Sequence, residues 1–171
     1  VQTGGILKII SPNSPSVFGY PVQLSSNAPG FINVPWLESF LDADTRGKLI
    51  GKLATSWETA DDLSSITYHL RQGVKFHDGT PFNAEAAKWN LDLYLERGTG
   101  AAASWSSVEA LDEYTVRINL KPGTYTNTQL TTPYGMISST AVQENGIEWA
   151  NVNPVGTGPF KFKSFVRDTS L

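Results

Sequence analysis

Apolar and polar positions alternate most clearly over residues 66–72. Ile66, Tyr68 and Leu70 point one way, and Thr67, His69 and Arg71 the other, the period of a half-buried strand. Gly73 interrupts the run and Val74, Lys75 and Phe76 resume it. His77-Asp78-Gly79-Thr80-Pro81 then reads as a turn, with Gly79 free to take positive φ and Pro81 holding Thr80 out of the helical region. Asn83 is placed to cap a helix in which Ala84, Ala87, Leu91 and Tyr94 recur at helical spacing, with Glu85 in the first turn. A second clean alternation follows at residues 114–120. Tyr114, Val116, Ile118 and Leu120 face inward and Thr115, Arg117 and Asn119 outward, and Pro122-Gly123 stops the run. Antiparallel pairing of these two strands is the natural expectation.

The remaining pattern is less regular. Residues 6–10 form a short apolar run that fits an interior strand. Residues 11–35 are broken by five prolines and are expected to be mostly irregular, with Phe18, Tyr20 and Phe31 in them and Trp36 just beyond, either pinning the loop to a core or reaching a binding cleft. Leu37, Phe40 and Leu41 suggest a helical turn or two, and residues 42–49 a small excursion around a turn. Residues 98–107 read as a Gly/Ala/Ser loop carrying Trp105, and residues 124–130 as a weak helix. Thr140 and Gln143 have capping-box spacing for a helix to about Asn145, ended by Gly146. Val155-Gly156-Thr157-Gly158-Pro159-Phe160 is a defined bend leading into a strand at residues 161–166.

Composition narrows the function. The chain has 171 residues, enough for one substantial core, with a net charge of -3 that offers nothing to nucleic acid or an anionic membrane. There are no cysteines, so disulfides and thiolate chemistry are excluded. No apolar run approaches a membrane span. The two histidines, His69 and His77, sit on different elements without further ligands at metal spacing, and His77-Asp78 suits hydrogen bonding within its turn. Asp42 and Gly47 match two positions of a calcium loop, but Leu53 stands where the terminal glutamate belongs. No serine lies in G-x-S-x-G, and the glycine pairs lack the context of a nucleotide or phosphate loop. No cofactor, metal site or catalytic constellation is expected.

Two stretches carry a family resemblance. Leu53-Ala54, Trp57, Asp61-Asp62, Leu70-Arg71, Gly73 through Gly79 and Thr80-Pro81-Phe82 resemble the signature of the family 5 solute-binding proteins of ABC transporters, the dipeptide, oligopeptide and nickel binders, and residues 155–160 resemble the family's P-V-G-T-G-P-Y/F. The strand at 114–120 is also similar to the family's. The resemblance implies a mixed α+β chain, the first lobe of a type II periplasmic-binding fold, with an antiparallel β subdomain at residues 36–125 and the second lobe absent from residues 1–171. It implies an extracytoplasmic receptor, periplasmic or attached at the cell surface, with its signal peptide removed. Such a receptor is a monomer that closes around a peptide or similar small solute and delivers it to a membrane permease. The ligand candidates in this lobe are Phe18, Tyr20, Trp36, Trp105, Tyr134 and Met136, proposed as a set, since each taken alone suits a core role better than a ligand contact. An isolated protein-interaction module is the second reading, and a hydrolase a weaker third.

Overall fold

In the computed structural model, which describes residues 16–24, 33–131 and 134–166, the two alternating stretches are neighbours in one sheet. Strands β1 (Leu41–Ala43) and β2 (Leu49–Gly51) form a separate antiparallel hairpin. Strands β3 (Ala54–Thr59), β4 (Ser65–Leu70), β5 (Trp105–Asp112) and β6 (Thr115–Leu120) form a four-stranded antiparallel sheet in the order β3-β4-β6-β5. Ile66 lies opposite Ile118 and Tyr68 opposite Val116, so the inward-facing sets of the two strands are cross-strand partners, and all four side chains are buried. Strand β4 stops at Leu70 rather than Gln72, because the Arg71 amide turns to the Leu53 carbonyl (2.8 Å) and Gly73 adopts φ 75°.

Helix α1 (Ala84–Arg97) lies on this sheet against β5 and β6. The Asn83 side chain accepts from the Ala86 amide at 3.0 Å, Glu85 occupies the first turn, and Gly98 closes the helix in the left-handed region. Ala84, Ala87 and Leu91 face the sheet core. Trp89 and Leu93 pack on a second core of Phe18, Tyr20, Trp36, Leu37, Ile137, Val142 and Ala150, so α1 separates the two cores. Among the described residues, short helices α2 (Thr128–Thr131), α3 (Ser139–Asn145) and α4 (Ile147–Ala150) follow, with 3-10 turns at Pro21–Gln23 and Gly100–Ser104.

Several local expectations are corrected. Residues 37–41 are not helical. The Phe40 carbonyl accepts from Lys52 (2.9 Å) and Ala54 (3.0 Å), and Leu41 starts β1, so pairing across the hairpin overrides the local helical pattern. Trp105 is the first residue of β5 rather than part of a loop. Helix α3 is capped by Ser138, whose hydroxyl accepts from the Ala141 amide (3.1 Å), not by Thr140. Residues 161–165 form no strand. The strand expected at residues 6–10 lies outside the described residues.

Candidate functional site

The two motif stretches meet. The turn after Phe76 and the glycine-rich segment at residues 155–160 are distant in sequence but clasp each other, with residues 35–39 and 134–138 as the remaining walls. His77 donates from Nε2 to the Gly158 carbonyl at 2.7 Å, and because a carbonyl only accepts, that nitrogen carries the proton. The His77 amide donates to Gly156 (2.8 Å), and Lys161 donates to the His77 carbonyl (2.9 Å). From the other side, Gly158 and Phe160 donate to Trp36 and Pro35, both at 3.1 Å, and the Thr157 hydroxyl donates to the Glu38 carboxylate at 2.9 Å.

The glycines have a steric reason. A β-carbon on Gly156 would lie 1.8 Å from the Trp36 carbonyl oxygen, and one on Gly158 2.4 Å from that of Pro35. Both distances are far inside van der Waals contact, so only glycine allows this crossing of two backbones.

Residues 134–138 belong to no strand ladder and are fixed by side chains together with single backbone bonds, from Met136 to Glu38 and from Ser138 to Val155. Asn90 projects from α1 fully buried. Its amide donates to the Ile137 carbonyl (2.9 Å) and its oxygen accepts the Ile137 amide (2.9 Å), which satisfies both backbone groups of that residue as a strand partner would. One turn later, the Tyr94 hydroxyl donates to Gly135 (3.2 Å), and the Met136 amide donates to the Glu38 carbonyl (3.0 Å). Burial pushes the Tyr94 phenol well above its ordinary range. The fully buried Ser138 donates to Asp78, which also accepts from the amide (2.9 Å) and hydroxyl (2.6 Å) of Thr80. Burial alone would raise the Asp78 carboxyl, but the hydrogen bonds from Ser138 and Thr80 outweigh it and hold the group below its usual value.

This arrangement positions chain and assembles no reactive pair. Ser138 and Asp78 touch, but the His77 imidazole is committed to Gly158, and Ser138 has no exposed surface. Among the described residues there is no group of three His, Cys, Asp or Glu side chains able to hold a metal.

The six aromatic and Met candidates divide into two groups. Phe18, Tyr20 and Trp36 belong to the second core; the Trp36 indole donates to the Phe18 carbonyl (3.1 Å) and their rings meet edge to face at 6.0 Å. Trp105, Tyr134 and Met136 belong to the sheet core, where Tyr134 sits between Tyr94 (4.8 Å) and Trp105 (4.9 Å). Helix α1 lies between the groups, so the structure does not bring the six together. Tyr134 also borders a crevice with Phe40, Leu41, Tyr68, Ile118, Gln129 and Leu130. Its volume of about 10 Å³ holds roughly one water.

Two organising residues, Asn90 and Glu38, carried no motif. Asn90 had a readable signal: it falls three residues after Ala87 on the apolar face of α1, where an amide must find partners. Glu38 had none.

Comparison with known proteins gives the family. Residues 48–171 match the family model described as bacterial extracellular solute-binding proteins, family 5 Middle. A Brucella ovis protein named for ABC-transporter peptide binding is 34% identical over 149 residues, covering 78% of this chain and 28% of that protein. The glutathione-binding protein GsiB of Shigella flexneri serotype 5b is 38% identical over 130 residues, covering 71% of this chain and 25% of its own length. The crystal structure of NikA from Brucella suis in complex with Fe(III)-EDTA superposes with a TM-score of 0.75 at 30% identity, over 90% of this chain and 33% of NikA. The chain thus spans a third or less of the length of each, and its mixed α+β architecture with antiparallel sheets is that of the type II periplasmic-binding fold. The chain belongs to the bacterial extracellular solute-binding proteins of family 5.

Proposed function

We propose that these residues form the first lobe of an extracytoplasmic receptor for an ABC importer. The receptor closes on a peptide or similar small solute and presents it to the membrane permease. The observation that carries this reading is the clasp between the turn at His77 and the glycine-rich segment: the two family motifs, separated by about a half of the chain, form one rigid corner within the family's fold. Such a corner supplies the stiffness that hinge closure of lobes requires.

The solute lies outside the crevice at Tyr134, which is too small for it. All six candidates are buried; Tyr20 (3% exposed) and Trp36 (8%) on one side of α1 and Tyr134 (7%) on the other keep a small exposed fraction and are the proposed contacts, as two separate points rather than one wall, while Phe18, Trp105 and Met136 back them from the two cores. Polar contacts from a second lobe complete the site. The protein works as a monomer, without a cofactor and without catalysis. Phe160 and Val34 support the two-lobed reading over a self-sufficient interaction module, because these large apolar side chains remain 59% and 51% exposed on adjoining segments.

Calorimetric titration with a mixed peptide library, glutathione and Fe(III)-EDTA, on this chain and on a full-length relative, tests the proposal. The relative is expected to bind one of these solutes and the chain alone to bind it at least a hundredfold more weakly, because half of the buried contacts are missing, about 3 kcal/mol or more. Equal affinities would overturn the two-lobe reading.

A further inference from the structure

The chain contains one Asn-Gly step, Asn145-Gly146, and one Asp-Gly step, Asp78-Gly79. Both dipeptides are open to the same chemistry, in which the glycine amide nitrogen attacks the preceding side-chain carbonyl. The fold treats them oppositely. Asp78 is pinned by Thr80 and Ser138, and the Gly79 amide is held by the Phe76 carbonyl at 2.9 Å. Asn145 is the last residue of α3, a helix of only seven residues, and both it and Gly146 are exposed. A β-carbon placed on Gly146 would meet nothing within 4 Å, so no neighbouring group crowds the glycine side of the step. Two bonds hold the step in place: Asn145 donates to the Ala141 carbonyl (3.0 Å) and Gly146 to the Val142 carbonyl (2.8 Å). Both belong to the end of a short helix, where opening costs least.

We propose that Asn145 is a site of spontaneous, non-enzymatic deamidation, gated by fraying of the end of α3. The Gly146 nitrogen forms a bond to Cγ of Asn145, and the bond from Cγ to the side-chain nitrogen breaks. Ammonia leaves with the proton lost by Gly146. Water then opens the succinimide at one carbonyl or the other, giving aspartate or isoaspartate at position 145. No redox partner is needed and water is the only co-reactant. The product is worse suited to its place. It no longer donates to Ala141, and it puts a negative charge at the negative end of the α3 dipole, in sequence beside Glu144 and close to Glu148. Conversion therefore frays α3 further and loosens the segment that joins Ser138 to the glycine-rich corner.

Peptide mapping by mass spectrometry, after incubation of the folded chain in mildly alkaline buffer, tests this. Residue 145 is expected to change before any other asparagine and to yield two chromatographically distinct products. The rate should be roughly 5- to 30-fold below that of the urea-unfolded chain, the cost of opening one or two hydrogen bonds. Asn145→Gln should abolish the conversion while leaving the melting curve unchanged. The proposal fails if Asn145 survives in the folded chain after several hundred times the half-life of the unfolded one, if another asparagine reacts first, or if the same mass gain persists in Asn145→Gln.

Discussion

The sheet and the glycine-rich corner are built on different physics. In the sheet, backbone groups satisfy each other through ladders, and the side chains have only to alternate and fill space: Ile66, Tyr68, Val116 and Ile118 do so opposite one another. In the corner, four separate segments cross without a ladder. Their backbone groups are satisfied one at a time, by Asn90, Tyr94 and His77 or by lone backbone bonds such as Gly158 to Trp36. Apolar substitutions of similar size should therefore be tolerated in the sheet, while single-atom changes in the corner should not.

The sharpest way to break the contrast is Gly156→Ala. The added methyl meets the Trp36 carbonyl oxygen at 1.8 Å, and because backbone lies on both sides, no rotamer change relieves it. Destabilisation of about 3 kcal/mol or more is expected, at the upper end of overpacking penalties. Gly123→Ala is the control. Its φ of 70° makes alanine unfavourable, but its surroundings are open, so about 1 kcal/mol is expected. Urea denaturation of the two variants measures the difference, and equal midpoints would remove the steric account of the corner.

Asn90→Leu comes next. Leucine suits the helix and fills similar space, so an ordinary core would accept it. Here it leaves the amide and carbonyl of Ile137 buried without partners, for a loss of about 3 kcal/mol. For a chain of this size that lowers the melting temperature by roughly 6–12 °C. In the sheet, Ile118→Val removes one methylene from a fully packed position and should cost only about 1 kcal/mol. If the Asn90 variant melts no lower than the Ile118 variant, the corner is less dependent on side-chain bonding than its geometry implies.

The same contrast explains what the sequence revealed. Periodicity is visible where one face is buried, so β4, β6, their pairing and α1 with its Asn83 cap were readable from residue order. Strand β5 was not. Ser106, Ser107 and Ala110 blur its alternation, and register shifts next to Trp105 and Asp112 break its ladder at both ends. Residues 37–41 carry a helical pattern because Leu37, Phe40 and Leu41 have the right spacing, and nothing local reveals that the Phe40 carbonyl is taken by Lys52 and Ala54 or that Leu41 starts β1. At the candidate site, the motifs identified two participating segments, and His77 and Asp78 do bond within and around their turn. That the segments clasp each other depends on contacts 81 residues apart, and these have no sequence period. The candidate aromatics were chosen by residue type alone, and residue type does not distinguish a cleft wall from a core.

The smallest expected effect tests the outermost bond of the corner. The Asp78 carboxyl is held below its usual value by Ser138 and Thr80, so the folded state binds its proton less readily than the unfolded chain. Its contribution is complete above the unfolded value of about 4, shrinks as the pH falls below it, and is gone below the depressed folded value. Because the group is largely open to water, that contribution is about 0.5 kcal/mol after screening. Asp78→Asn should therefore leave neutral stability almost unchanged and flatten the acid limb of a stability-versus-pH curve. Asn83→Asp is no substitute for this test, since it changes a helix cap. If the acid limb is identical with and without the Asp78 carboxylate, the bond from Ser138 is not a measurable part of the clasp, and the corner is held by His77, Glu38, Asn90, Tyr94 and the glycine contacts.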